Sequence, residues 1–165
     1  MASQVAIVPI LSFVLAIAFA GFALARGPRP ITFGVVADRL LQYIFLFPVG
    51  LMGLWAALGH IVFPERAAAA IGWATSPFQT EVGFANLGIG LLGLVGAFRH
   101  DAGYRLAGGL VILGFLGGAA AGHIRQIVET GNMAAGNAGP ILYTDILIPL
   151  SILVLLPFAR PPGRA

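Results

Sequence analysis

Apolar residues run along the chain in five long stretches, separated by short polar or turn-forming breaks. The stretches cover about Val5–Ala25, Val35–Val62, Phe78–Phe98, Tyr104–Val128 and Ile141–Phe158. Each is near or above the ~20 residues that span a bilayer core, the fifth being the shortest. The pattern predicts an all-α fold, a polytopic integral membrane helical bundle of about five transmembrane helices. The breaks carry turn chemistry. Ser76-Pro77-Phe78-Gln79 reads as a helix start, with Ser76 as N-cap, Pro77 at the first helical position and Gln79 closing a capping box. Gly139-Pro140 opens the fifth helix in a similar way, and Gly131 ends the fourth. Between Pro64 and Trp73, the run Glu65-Arg66-Ala67-Ala68-Ala69-Ala70 reads as a short interfacial helix, with Trp73 at the headgroup level.

Composition changes the picture in two respects. The chain has 165 residues, of which 59% are hydrophobic and only 9% charged, against about 25% charged in a soluble domain. The expected partner is therefore the lipid bilayer. All nine basic residues are arginine, and they lie in or near the breaks, so the basic balance reflects membrane topology and not nucleic-acid binding. Arg26, Arg29, Arg39, Arg99, Arg105, Arg160 and Arg164 fall on one side, and only Arg66 and Arg125 on the other. This bias predicts an external N-terminus and a cytoplasmic C-terminus, with the loops 63–76 and 131–139 outside. The absence of lysine beside abundant Ala, Gly and Arg suggests a GC-rich bacterial genome, hence the bacterial inner (plasma) membrane. There is no cysteine, which excludes disulfides, iron–sulfur clusters and thiol catalysis.

Residues 1–30 read as an N-terminal anchor helix and residues 31–165 as a four-helix transmembrane bundle. Ala23-Leu24-Ala25 resembles a signal-peptide cleavage site, but no Lys or Arg precedes the apolar run and Arg26 and Arg29 follow it. That favours a retained anchor. Helix association in lipid relies on small residues that let backbones approach. Gly114, Gly118 and Gly122 form one such stripe, and Gly90, Gly93 and Ala97 another on the face of Asn86. Both read as interfaces within the chain, with a homodimer seam as the competing reading. Pro48 and Pro149, inside helices, free the carbonyl of the residue four back, which for Pro149 is Asp145.

The candidate chemistry gathers at one side of the bundle. His60, Glu81, His123, Arg125 and Asp145 all sit just inside helix ends there, with Asn86 and Tyr143 at similar depth. His60, Glu81, His123 and Asp145 come from four helices, and two imidazoles with two carboxylates suit a single zinc, iron or manganese ion. The same set suits a proton or ligand site. Axial haem ligation by the two histidines is disfavoured by the carboxylates at the same depth. The competing reading is structural: an acid near a helix N-terminus, cations near C-termini, and Arg125 paired with Glu81 or Asp145. No metal spacing such as H-E-x-x-H occurs. Glu81 and Asn86 point about 140° apart on a regular helix, so they do not share one small pocket, and Asn86 is expected to bond to a neighbouring helix. Asp38, Arg39, Arg99, His100, Asp101 and Arg105 read as ordinary charges flanking the opposite ends of the helices, with Tyr43 and Tyr104 in an aromatic belt.

The runs Gly53-Leu54-Trp55-Ala56-Ala57-Leu58-Gly59-His60, Ile71-Gly72-Trp73, Ser76 to Gly88, Gly122-His123-Ile124, Asn137-Ala138-Gly139-Pro140 and Tyr143-Thr144-Asp145 together resemble an uncharacterised family of small bacterial multi-pass membrane proteins, a domain of unknown function. The resemblance spans roughly Phe45 to Leu150, leaves the first helix outside, and implies a compact helical bundle without an assigned activity. The expected function is an inner-membrane protein whose outward-facing polar cluster binds a small ligand, proton or metal ion. The alternative is a structural or accessory subunit of a larger membrane complex, or a homo-oligomer. No Ser-His-Asp order, phosphate loop or nucleotide fingerprint is present, so enzymatic activity is neither indicated nor excluded.

Overall fold

The computed structural model describes residues 2–161, with side chains from residue 7 onward; Arg164 of the arginine count lies outside the described residues. The elements are α1 (Ala2–Arg26), α2 (Phe33–Ile44), a π-helical stretch (Phe45–Leu51), α3 (Met52–Val62), α4 (Pro64–Ile71), α5 (Phe78–Phe98), α6 (Ala102–Thr130), α7 (Pro140–Leu155) and a closing 3₁₀ turn (Leu156–Phe158). α2, the π stretch and α3 run on as one helical rod, so five helices are long and apolar enough to cross a membrane. The turn end of the bundle gathers the close of α1, the start of α2, the α5–α6 turn and the close of α7. The α4 end gathers α4, the start of α5, the close of α6 and the start of α7.

Local chemistry accounts for most boundaries. Thr32 caps α2 by accepting from Val35 N, and Asp101 caps α6 by accepting from Tyr104 N at 2.7 Å. Gly72 and Gly131 close α4 and α6 with φ of 82° and 67°, a left-handed conformation that glycine adopts without Cβ strain. Gly139 and Pro140 open α7 as expected. The start of α5 differs. Pro77 stands at the cap without a side-chain hydrogen bond, and Ser76 contributes its backbone carbonyl, accepting from Gln79 N at 3.0 Å. The expected capping box does not form, because the Gln79 side chain turns inward to another helix. Pro48 has no N–H to give to Ile44, and the helix widens around it; Met52 N–H reaches Phe47 O, five residues back.

The core sits on the α2–π–α3 rod. Leu41, Ile44, Phe45 and Val49 meet Ile89 and Ala97 of α5, Ile112 of α6 and Ile148 and Ile152 of α7. Phe45 is fully buried where Gly96 and Gly108 leave room for its ring. α3 and α5 cross with backbones in contact: a Cβ on Gly53 would lie 2.8 Å from Gly90 Cα. The expected interface along Gly90, Gly93 and Ala97 is therefore present. The other stripe behaves differently. Nothing lies within 4 Å of an added Cβ at Gly114, Gly118 or Gly122, so among the described residues no helix covers it. α1 is integral to the packing, with Ala16 buried in the core.

Candidate functional site

Helical periodicity decides which predicted site residues meet. At about 100° per residue, positions two apart point to opposite faces. Gln79 is buried and Glu81 exposed; His123 is buried and Arg125 exposed; Asp145 is buried and Tyr143 exposed. Glu81, Arg125 and Tyr143 thus lie on outward faces, away from His123 and Asp145. Arg125 pairs with Glu129 one turn on, at 2.8 Å, and not with Glu81 or Asp145. Asn86 is buried on the Gln79 face, and its Nδ2 donates back to Val82 O at 2.9 Å within its own helix; the expected bond to a neighbouring helix is not made. Among the described residues no three of His, Asp and Glu converge as a metal set. The four-ligand set His60, Glu81, His123 and Asp145 is not assembled, chiefly because Glu81 faces outward.

Two separate histidine sites form instead. His60 Nδ1 lies 2.6 Å from Gln79 Oε1, joining α3 to α5. His123 is held more fully. The Asn137 amide donates to two carbonyls, His123 O at 3.3 Å and Asn132 O at 2.8 Å. Its Oδ1 is thereby turned toward His123 Nδ1, at 2.8 Å. An amide oxygen only accepts, so His123 Nδ1 carries the hydrogen and donates. Asn132 extends the lattice, donating to Ile71 O at 2.9 Å, while Gly136 N donates to Ala70 O at 2.9 Å. These bonds moor the 131–139 loop to the close of α4. The Trp73 ring lies 6.0 Å from the His123 ring.

The other ring nitrogen, His123 Nε2, faces Asp145 Oδ2 at 3.6 Å. Asp145 is 7% exposed, and its carboxylate makes no hydrogen bond among the described residues. It lines a shallow, wide-open cavity of about 280 Å³ between α6 and α7, floored by apolar residues that include Leu113, Gly117, Ile124 and Pro149. Small residues on α6 create the space: Gly117, Ala120 and Ala121 face it and cannot fill it.

A second polar centre lies at the turn end, where the sequence shows only flanking charges. Asp38 and Arg105 are 0% and 1% exposed. Asp38 Oδ1 accepts from Arg105 Nη1 at 2.7 Å and sits 2.8 Å from His100 Nδ1, tying α2 to α6 and to the α5–α6 turn. Asp38 Oδ2 and Arg105 Nε have no partner among the described residues. Tyr104 belongs to the same region, donating from its hydroxyl to Leu92 O at 2.9 Å. A signal for the ion pair was present: Asp38 and Arg105 fall inside the apolar stretches, where an unpaired charge is costly. Asn137 sits in a loop of small residues and carried no such signal.

No curated protein and no solved structure matches the chain. One family model does, over residues 6–164, and so takes in the first helix that the narrower resemblance left outside. With nearly its whole length matched, the chain belongs to DUF6790, a family of unknown function.

Proposed function

We propose that this is an integral membrane protein whose working site is the His123–Asp145 pair, which binds one exchangeable proton beside a small-ligand cavity. The observation that carries this reading is the orientation of His123. Asn137 holds the hydrogen on Nδ1, so a neutral ring turns the Nε2 lone pair toward a carboxylate. Lone pair against carboxylate is repulsive, and one proton taken up by either group removes the repulsion. Buried ionisable groups in membrane helices often line proton or substrate paths. Membrane embedding is supported by the exposed apolar belt, which includes Phe19, Leu58, Phe84, Leu91, Leu110, Leu147 and Val154. In this reading the protein lies in a bacterial inner membrane with the α4 end outside. Removing buried Arg105 from the arginine count leaves that bias intact.

The test is infrared difference spectroscopy on reconstituted protein across a pH titration. The reading expects a carboxyl band that changes with pH and is absent in Asp145→Asn. A spectrum indifferent to that substitution would overturn it. A second reading, a structural or accessory subunit or a homo-oligomer, is favoured by the uncovered face at Gly114, Gly118 and Gly122, since small-residue faces serve close helix association. Crosslinking from Gly118→Cys in native membranes, where the chain has no other cysteine, tests it. A crosslinked dimer or a larger crosslinked partner supports this reading, and an unmodified monomer opposes it.

A further inference from the structure

The cavity beside Asp145 has a chemistry of its own. Its walls between α6 and α7 are apolar, and Asp145 is the one ionisable residue that lines it. The open side faces outward from the bundle: Leu113, Ile124 and Leu150 at its rim are 38%, 47% and 49% exposed. Entry is therefore lateral, through the apolar belt, rather than from the polar end of the bundle. Pro149, also on the wall, supplies no N–H to the Asp145 carbonyl four residues back. The site offers a carboxylate with no hydrogen-bond donor among the described residues. At about 280 Å³ the space lies near the lower bound of small-molecule sites.

We infer that this cavity is a binding site for a small lipophilic amine, its ammonium donating to Asp145 and its apolar body lying against Gly117, Ala121 and Pro149. A carboxylate among apolar residues selects a cation over an alcohol or an acid, and a charge-assisted bond provides the discrimination. His123 completes the exchange. Starting from a pair that shares one proton, ammonium binding leaves Asp145 ionised and His123 neutral, and one proton departs to solvent. That last step rests on the shared-proton reading; the amine site itself requires only the cavity and the carboxylate.

The experiment is titration calorimetry of the full chain in nanodiscs with phenethylamine, phenethyl alcohol and phenylacetate, run in two buffers of different ionisation enthalpy. The expected result is amine binding about tenfold or more tighter than the alcohol, with the acid not bound. Asp145→Asn is expected to abolish the preference. Gly117→Leu, which fills the cavity and leaves the carboxylate in place, is expected to abolish amine binding as a second and independent check. Equal binding of amine and alcohol, or amine binding unchanged in Gly117→Leu, would overturn the proposal, as would no binding of the amine. The buffer comparison reads the proton separately: amine binding with no proton released would keep the amine site and refute the shared proton.

Discussion

The two ends of this bundle solve the problem of a buried charge in opposite ways. At the turn end, Asp38 meets Arg105 and His100, and opposite charges close on one another with both principal side chains out of reach of solvent. At the α4 end, Asp145 has only a histidine, held at ion-pair and not hydrogen-bond distance, and it faces a cavity. A closed pair of fixed charges is suited to holding helices in register. A carboxylate with an open side and a titratable neighbour is suited to exchange. The difference separates architecture from chemistry in a chain whose composition shows only that charges are few.

The largest expected effect lies at the closed end. Removing one partner strands a buried charge, so Arg105→Met or Asp38→Leu alone should lower unfolding stability by about 3–5 kcal/mol. The double substitution, with both charges gone, should recover most of the loss. Chemical unfolding in mild detergent measures both. A single substitution without cost would show that the turn-end pair is not what holds α2 against α6.

A smaller effect is expected at the α4 end. Asn137→Ala removes the donor to two carbonyls and the acceptor for His123, at a cost of about 1–3 kcal/mol. It should also free the 131–139 loop, read as faster hydrogen exchange there and not at the α5–α6 turn. The two glycine faces supply the smallest contrast. Gly53→Val drives a side chain into the α5 backbone and should cost about 1–3 kcal/mol, whereas Gly118→Ala meets open space and should change stability by no more than about 0.5 kcal/mol. Equal costs at both positions would mean that the α6 face is packed in the assembled protein.

The apolar pattern places the five long helices to within a turn at their ends, because hydrophobic length and Gly/Pro breaks act locally. The pattern puts α5 at Phe78–Phe98, and it is found there. Facing was less legible. Asp145, His123 and Glu81 share a depth, but depth along an axis says nothing of rotation around it, and Glu81 points away. The buried face of α5 was nonetheless written in its small residues: Gly83, Asn86, Gly90 and Gly93 fall with Gln79 on one side, and Glu81 does not. The fourth-helix stripe shows the limit of that signal, since small residues permit close packing without requiring it. Pairings between distant elements were least legible. Asn137 reaches His123 through a loop whose path depends on its bonds to α4, and Asp38 meets Arg105 across 67 positions of sequence.

The central claim is that Asn137 fixes the hydrogen on His123 Nδ1 and leaves Nε2 facing Asp145, so that the pair takes up one proton. Nitrogen-15 NMR of histidine-labelled protein, with His123 assigned by its substitution, reads both ring nitrogens directly. The account predicts a protonated Nδ1, and an Nε2 resonance that differs between the native protein and Asp145→Asn. A His123 ring with a bare Nδ1, or an Nε2 indifferent to Asp145, would contradict it.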